Sequence, residues 1–195
     1  MNASINQSYP KTYSIIDAES RASGFTMASD PLTGTFLRTL AASKPAGKFL
    51  ELGTGTGLST SWILDGMDDS STLISIDNDE AFLAIAQRHL SDDKRLNLVL
   101  TDGAEWFAKN QALKFDFVFA DTWHGKYLVL ETALSMLNPG GLYVIDDMLP
   151  QPNWPEGHQE KVRTLIDTLE QRSDLYLTKQ DWATGIIIAV KKQMP

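Results

Sequence analysis

The sequence predicts a doubly wound α/β fold: one sheet of seven strands, mostly parallel with an antiparallel C-terminal strand, and helices on both faces. Short apolar runs of strand length alternate with helix-compatible stretches from Phe49 onward, and this alternation is typical of a parallel sheet covered by helices. A glycine-rich turn, G-T-G-T-G at 53–57, joins the first apolar run to the next helical stretch. Such a turn permits positive φ and lets a ligand approach the main chain closely.

The elements follow in order along the chain. A helix is predicted over 12–22, and a second begins at Pro31 with Asp30 as its N-cap and ends near Lys44. The predicted strands cover 49–52, 73–76, 96–100, 115–120, 142–145, 175–178 and 185–190, the last two forming an antiparallel ribbon. The remaining helices are predicted from residue 58, over 82–90, over 104–110, after residue 127 as far as 137, and over 160–172, with a loop at 148–158.

Composition narrows the function classes. The 195 residues are enough for one domain with a sizeable core. The net charge is −8 and the pI about 4.8, which disfavours nucleic acid as a substrate because phosphate contacts need clustered Lys and Arg. No apolar stretch approaches the length of a membrane span, the first ten residues are unlike a signal peptide, and the chain has no cysteine. We therefore expect a cytoplasmic protein.

The residues around the glycine turn favour an amino acid joined to a nucleoside as the ligand. The spacing is G-x-G-x-G, and Leu58 stands where a dinucleotide-binding turn has its third glycine. Glu51, just before the turn, would repel a pyrophosphate and suits an ammonium group. Asp77, at the end of the second strand, suits the two hydroxyls of a ribose. Ser59, at the helix start, suits a carboxylate. The alternative is a turn kept only for tight strand-to-helix geometry.

On these residues the chain resembles the class I S-adenosylmethionine-dependent methyltransferases, and within them the catechol O-methyltransferase-like branch. The resemblance runs from Met27 to Lys191. It implies a seven-stranded Rossmann-like methyltransferase sheet, with an N-terminal helical cap segment over 1–45 and an S-adenosylmethionine-binding domain over 46–195, together one globular domain. The cofactor-binding residues that it implies are Met27, Glu51, Gly53, Thr54, Gly55, Gly57, Ser59, Asp77, Asn78, Asp102, Gly103, Ala104, Asp121 and Trp123.

Two of these residues keep a second interpretation. Met27 matches a position that contacts the methyl end of the cofactor in the family, but it could equally be a core or surface methionine. Asp102 matches an acceptor for the adenine amino group, and it also suits the N-cap of the helix predicted over 104–110. The two roles of Asp102 are compatible.

The segment D-T-W-H-G-K-Y at 121–127 resembles the catalytic stretch of the same enzymes. In the family, an Asp here and an Asp-Asn pair after the fifth strand hold magnesium or calcium, and a Lys three residues after the first Asp takes the hydroxyl proton. The resemblance implies that His124 and Asp121 are catalytic, with His124 as the base. It also implies that Asp121, Asp146 and Asp147 are ligands of a divalent cation.

Two departures from the family pattern leave alternatives open. His124 stands at the Lys position, where an imidazole of pKa roughly 6.5 is a competent base, although a substrate-positioning or structural role is also compatible. Asp147 stands at the Asn position. Ionised carboxylates on neighbouring strand ends repel one another, so a cation, a retained proton or Lys126 must offset them. Without a metal, Asp146 and Asp147 would cap the loop or contact substrate.

We therefore expect an S-adenosylmethionine-dependent methyltransferase that acts on a hydroxyl of a small molecule. An N-methyl- or aminopropyltransferase of the same fold and a non-catalytic cofactor-binding protein stay open. The missing third glycine and Glu51 disfavour a nicotinamide-dependent oxidoreductase. The expected partner is a small-molecule acceptor, with no nucleic acid or membrane, and a homodimer is left open.

Overall fold

The computed structural model describes residues 8–152 and 154–193, so the predicted cap segment before residue 8 lies outside the described residues. Seven strands form one sheet in the order β3-β2-β1-β4-β5-β7-β6. β1 to β5 pair in parallel, whereas β7 pairs antiparallel with both β5 and β6. The strands are β1 Lys48–Leu52, β2 Thr72–Asp77, β3 Leu96–Leu100, β4 Phe115–Ala120, β5 Leu137–Ile145, β6 Leu175–Gln180 and β7 Ile186–Lys191.

Helices cover both faces of this sheet, and the predicted fold class is confirmed. One buried cluster joins the sheet to α5, α7 and α8, and a second joins it to α1, α2, α3 and α4. Because both faces are covered, most side chains of the central strands are apolar, as in parallel sheets generally. The helices are α1 Tyr13–Ala22, α2 Pro31–Ala42, α3 Leu58–Gly66, α4 Glu80–Leu90, α5 Gly103–Asn110, α6 Trp123–Lys126, α7 Leu130–Ser135 and α8 His158–Glu170.

Side-chain caps fix where several helices begin. The Asp30 carboxylate accepts a hydrogen bond from the N–H of Leu32, and Pro31 is the first helical residue of α2, as predicted. The Asp79 side chain accepts from the N–H of Phe82 at the start of α4. These caps satisfy backbone donors that have no partner inside the helix, so both helices begin directly after a loop that reaches the carboxyl edge of the sheet.

The chain between β4 and β5 differs from the sequence prediction. The helix expected after residue 127 as far as residue 137 is the shorter α7, and a short helix that was not predicted, α6, precedes it. Gly125 and Val129, with positive φ values of 86° and 52°, interrupt the helical geometry before α7. The fifth strand begins at Leu137 rather than Leu142, and its register on β4 shifts between Phe115 and Phe117. A bulge of this kind accommodates the N-P-G-G stretch at 138–141, which lies within β5.

The N-terminal helices pack against the glycine turn. Ser20 of α1 donates a hydrogen bond of 2.7 Å to the Thr56 hydroxyl within the turn, and both side chains are buried. Phe25, after α1, lies edge-on to Phe82 of α4, with ring centroids 4.8 Å apart. The N-terminal segment therefore forms part of the wall around the turn. Across the described ranges, no helix has the length and apolar character needed to cross a membrane.

Candidate active site

A cavity of about 250 Å³ opens at the carboxyl edge of the sheet, beside the ends of β1, β2 and β4. This is where ligands bind in doubly wound folds, next to the change in strand order; here β1 lies between β2 and β4. Ten of the predicted site residues line it: Met27, Gly53, Thr54, Gly55, Ser59, Asp77, Asn78, Gly103, Asp121 and His124. Five predicted cofactor residues are not among the residues that line this cavity: Glu51, Gly57, Asp102, Ala104 and Trp123.

Asp77 holds the glycine turn in shape. Its Oδ2 accepts a 2.7 Å hydrogen bond from the N–H of Gly55, and its Oδ1 accepts one of 2.9 Å from the N–H of Asp79. Gly55 has φ of +51°, and a Cβ there would lie 2.7 Å from the Phe25 ring. The turn therefore requires glycine, and Asp77 presents a fixed carboxylate to the cavity with lone pairs to spare.

Gly57 has a packing role in this structure. It has φ of +94°, and a Cβ at this position would lie 2.9 Å from both the Ala86 Cβ and the Leu90 Cδ1 on α4. The third glycine of the turn was predicted to bind the cofactor. Here its missing side chain instead lets α4 pack closely against the start of α3.

Glu51 lies beneath the turn and does not reach the cavity. Its Oε2 accepts hydrogen bonds of 2.5 Å from Thr60 on α3 and 2.6 Å from Ser75 on β2, and the residue is fully buried. Its Oε1 is buried without a partner among the described residues. Burial raises the pKa of Glu51 to about 7, although the Ser75 and Thr60 hydroxyls oppose the shift. The sequence predicted a direct ligand contact; the structure gives Glu51 a supporting position.

The opposite wall is formed by the start of α5 and by His124. The Asp102 carboxylate caps α5 by accepting hydrogen bonds from the N–H groups of Ala104 and Glu105, so the predicted capping role is confirmed. The His124 ring packs on Gly103, where a Cβ would lie only 2.5 Å from the His124 Cγ. The His124 Nε2 lies 3.8 Å from the Asp102 Oδ2.

Lys126, rather than His124, is the basic side chain that pairs with Asp121. The Lys126 ammonium lies 3.1 Å from the Asp121 Oδ1, and its side chain is only 6% exposed. Ser29 donates a 3.0 Å hydrogen bond to the other oxygen, Oδ2. Burial alone would lower the pKa of Lys126, but the carboxylates of Asp121, Asp147 and Asp146 outweigh it and the net shift is upward. Lys126 is therefore an ammonium, not a free amine.

A kink in the backbone directs Lys126 inward. His124 and Gly125 leave helical geometry inside α6, and Gly125 has φ of 86°. The buried Tyr143 on β5 donates a 2.7 Å hydrogen bond to the Gly125 carbonyl. A Cβ at residue 125 would lie 2.4 Å from the Leu52 Cδ1 and 2.7 Å from the Tyr143 hydroxyl. Only glycine fits this kink without strain.

Asp146 and Asp147 follow β5 beside this ion pair. The Asp146 Oδ1 accepts a 2.5 Å hydrogen bond from Thr184, while its Oδ2 is buried without a partner in the described chain. Burial, reinforced by the charge of Asp121, raises the pKa of Asp146 to about 7. Asp147 has a left-handed φ of 59°.

The predicted metal-ligand set does not assemble. Within residues 8–152 and 154–193, no three or more His, Cys, Asp or Glu side chains are grouped so that they could hold a metal ion. Both Asp121 oxygens already accept hydrogen bonds, one from Lys126 and one from Ser29. Because these carboxylates are not grouped as a ligand set and the Lys126 ammonium lies 3.1 Å from Asp121, the donor set at Asp121, Asp146 and Asp147 does not fit a divalent cation.

Aromatic side chains surround the far side of Lys126. Trp123 is 46% exposed and belongs to this group instead of the cofactor cavity wall. The Tyr127 hydroxyl lies 3.1 Å from the His158 Nε2, and Trp154 packs on the same imidazole at 4.5 Å between ring centroids. A second cavity of about 680 Å³, open to solvent, begins at Lys126 and Tyr127 and runs between α7 and α8.

Sequence reasoning missed several residues of the first cavity. Phe25 and Phe82 line it, and Ser29 binds Asp121. Phe25 and Ser29 belong to the loop before α2, whose path over the turn no local pattern predicts. Lys126, by contrast, was already a candidate to offset the acidic side chains, and the structure pairs it with Asp121.

The fold and the cavity together define a class of protein: a Rossmann-like methyltransferase. A family profile described as "Methyltransferase domain" matches residues 50–148, about half of the chain. The chain belongs to this family, and the resemblance noted from the sequence is confirmed at that level.

Individual relatives agree with this class. A catechol O-methyltransferase of Niastella koreensis is 29% identical over 126 residues, which cover 61% of this chain and 57% of that protein. The matched stretch thus spans little more than half the length of the curated relatives. An O-methyltransferase of Bacillus cereus, solved in complex with SAH, superposes with a TM-score of 0.84 at 19% identity, covering 96% of this chain and 94% of that one.

A second solved structure shows the same fold. TomG of Streptomyces achromogenes, an O-methyltransferase of tomaymycin synthesis solved with SAM, has a TM-score of 0.82 at 20% identity. The alignment covers 98% of this chain and 94% of TomG. At such low identity the likeness establishes the fold alone.

Proposed function

We propose that this protein is an S-adenosylmethionine-dependent O-methyltransferase that acts on a small molecule. One observation carries the proposal: a single cavity joins the glycine turn and Asp77 at one end to Asp121 at the other. A ligand that fills it would have a sugar near Asp77 and its reactive part near Asp121. The membership in the methyltransferase domain family supports this assignment.

The residues of the wall fit S-adenosylmethionine. Gly53 and Gly55 lack the side chains that would fill the space above the turn, and both have positive φ. The fixed carboxylate of Asp77 suits the ribose hydroxyls, and Ser59 near the start of α3 suits a carboxylate. When bound, S-adenosylmethionine supplies a methyl group activated by a sulfonium.

At the Asp121 end of the cavity, the protein must hold an acceptor hydroxyl and accept its proton. Asp121 lines this end with a carboxylate fixed by Ser29 and Lys126. We propose that His124 accepts the proton, because it lines the same cavity and an imidazole titrates near neutrality. Lys126, as an ammonium, has no lone pair for this purpose.

The acceptor would enter past the second cavity, where Tyr127 and Leu130 offer apolar contact. A small-molecule acceptor fits this proposal, and with a net charge of −8 a nucleic acid does not.

Calorimetry on the full chain tests the proposal. S-adenosylmethionine and its demethylated product should bind with a stoichiometry of one, and NAD should not bind. Turnover is then followed with a panel of phenolic and aliphatic hydroxyl acceptors and matched amines. Binding of NAD alone would overturn the assignment, and turnover confined to amines would assign an N-methyltransferase.

A further inference from the structure

Asp121 follows the end of β4, Asp146 and Asp147 follow the end of β5, and the charge of the buried carboxylates among them must be offset. Asp121 and Asp146 are almost fully removed from water, with the Asp121 side chain 11% exposed and Asp146 0% exposed. The Asp146 Oδ2 is buried without a partner among the described residues. Buried carboxylates persist as ions only when they are paired or hydrogen-bonded.

Lys126 supplies a buried positive charge beside these carboxylates. Its ammonium contacts the Asp121 Oδ1 at 3.1 Å. The kink at Gly125, held by Tyr143, leaves the side chain 6% exposed. A buried ammonium is costly unless it is paired, so this arrangement indicates a specific electrostatic role.

We propose that the Lys126 ammonium is the built-in cation of this site, so that the reaction proceeds without a divalent metal ion. Lys126 is then a positioning residue that holds Asp121 and neutralises the acidic group. The idea rests on the proposed methyltransferase function. It also explains why the acidic residue Asp147 is tolerated at a position where the resembled enzymes have a neutral Asn.

The ligand requirements of divalent cations support the proposal that no metal ion binds at this site. Mg²⁺ and Ca²⁺ need free oxygen ligands at roughly 2.0–2.6 Å. The Asp121 oxygens accept hydrogen bonds from the Lys126 ammonium and from Ser29, and the Asp146 Oδ1 accepts one from Thr184, so a cation would compete with these donors for the carboxylates. A divalent ion inserted here would stand next to a fixed positive charge and be repelled.

The first test uses the wild-type chain. We expect no heat of binding and no rise in Tm with Mg²⁺ or Ca²⁺ at millimolar concentration, and turnover that EDTA leaves unchanged. Saturable binding of either ion that Asp146→Asn abolishes would overturn the proposal, as would inactivation by EDTA that Mg²⁺ reverses. S-adenosylmethionine is titrated in the same calorimeter, so a failure of the proposed function is seen separately from a failure of the lysine assignment.

The second test removes the ammonium. Lys126→Met should gain saturable Ca²⁺ binding, with a rise in Tm on adding Ca²⁺, and should lose turnover that Mg²⁺ restores in part. Lys126→Arg, which keeps the charge, should not gain Ca²⁺ binding. The control is Lys191→Met, another partly buried lysine, which pairs with Asp174 at 3.5 Å and should gain nothing. A folded Lys126→Met that binds no Ca²⁺ contradicts the proposal; if it does not fold, the wild-type titration decides.

Discussion

Replacing Glu51 by Gln should stabilise the ligand-free protein at alkaline pH. The Glu51 carboxyl is fully buried, and its pKa rises from 4.5 to about 7 on folding, chiefly because burial disfavours the charged form. Above pH 7 this carboxyl group therefore ionises in the folded chain, although its buried surroundings disfavour the charge. A glutamine keeps the shape and carries no charge, and the Thr60 and Ser75 hydroxyls that now donate to Glu51 can rotate to suit an amide.

The size and pH window follow from linkage. Each tenfold difference in proton affinity is about 1.4 kcal/mol, so ionising Glu51 in the fold costs about 3 kcal/mol above pH 7. Because folding raises the pKa of Glu51, its contribution to stability is fully present below the pKa of the unfolded chain. That contribution is lost as the pH rises through the pKa of the folded chain. The advantage of Glu51→Gln should therefore be absent at pH 4.5 and complete at pH 8, equivalent to roughly 6–12 °C in Tm for a domain of this size.

Urea unfolding of both chains across this pH range is the measurement. Glu105→Gln is the matched control, because the Glu105 side chain is 67% exposed and pairs only with Lys109 on its own helix; its difference from wild type should not vary with pH in this way. Equal stability of Glu51→Gln and wild type at pH 8, or the same offset at pH 4.5 and pH 8, would refute the burial argument. Because Glu51 lies outside the cavity wall, its S-adenosylmethionine affinity should change less than for an Asp77 variant.

Asp77→Ala should weaken S-adenosylmethionine binding about tenfold to a hundredfold in calorimetry. Asp68→Ala also removes a 2.7 Å hydrogen bond from a backbone N–H, but away from the cavity, and it should not weaken binding. Equal affinities of the Asp77→Ala variant and the wild type would rule out the ribose assignment. His124→Ala should lower turnover by about 10²–10⁴ with unchanged cofactor affinity; a loss of affinity instead would assign His124 to the cofactor. Gly125→Ala should cost about 1–3 kcal/mol more in urea unfolding than Gly140→Ala, which shares a positive φ but has open space around its Cβ; equal costs would mean the kink tolerates a side chain.

The sequence by itself determined the sheet and the edge at which the site lies. Apolar runs such as 49–52 and 115–120 must be buried, and each is followed by an acidic residue or a turn at its carboxyl end. Strand parallelism then brings Asp77 and Asp121 to one edge without any knowledge of distant contacts. The helix caps at Asp30 and Asp102 could also be predicted from the sequence, because a cap involves only residues within a few positions along the chain.

Tertiary structure alone decided which side chains at that edge face the cavity. Whether Lys126 or His124 meets Asp121 depends on two backbone angles at Gly125, and these are held by Tyr143, which comes from another strand. Gly57 packs on α4 because that helix crosses the turn, a contact between segments far apart in sequence. Local patterns fix where a strand ends, but the direction of the next side chain is set by packing against residues that the pattern does not contain.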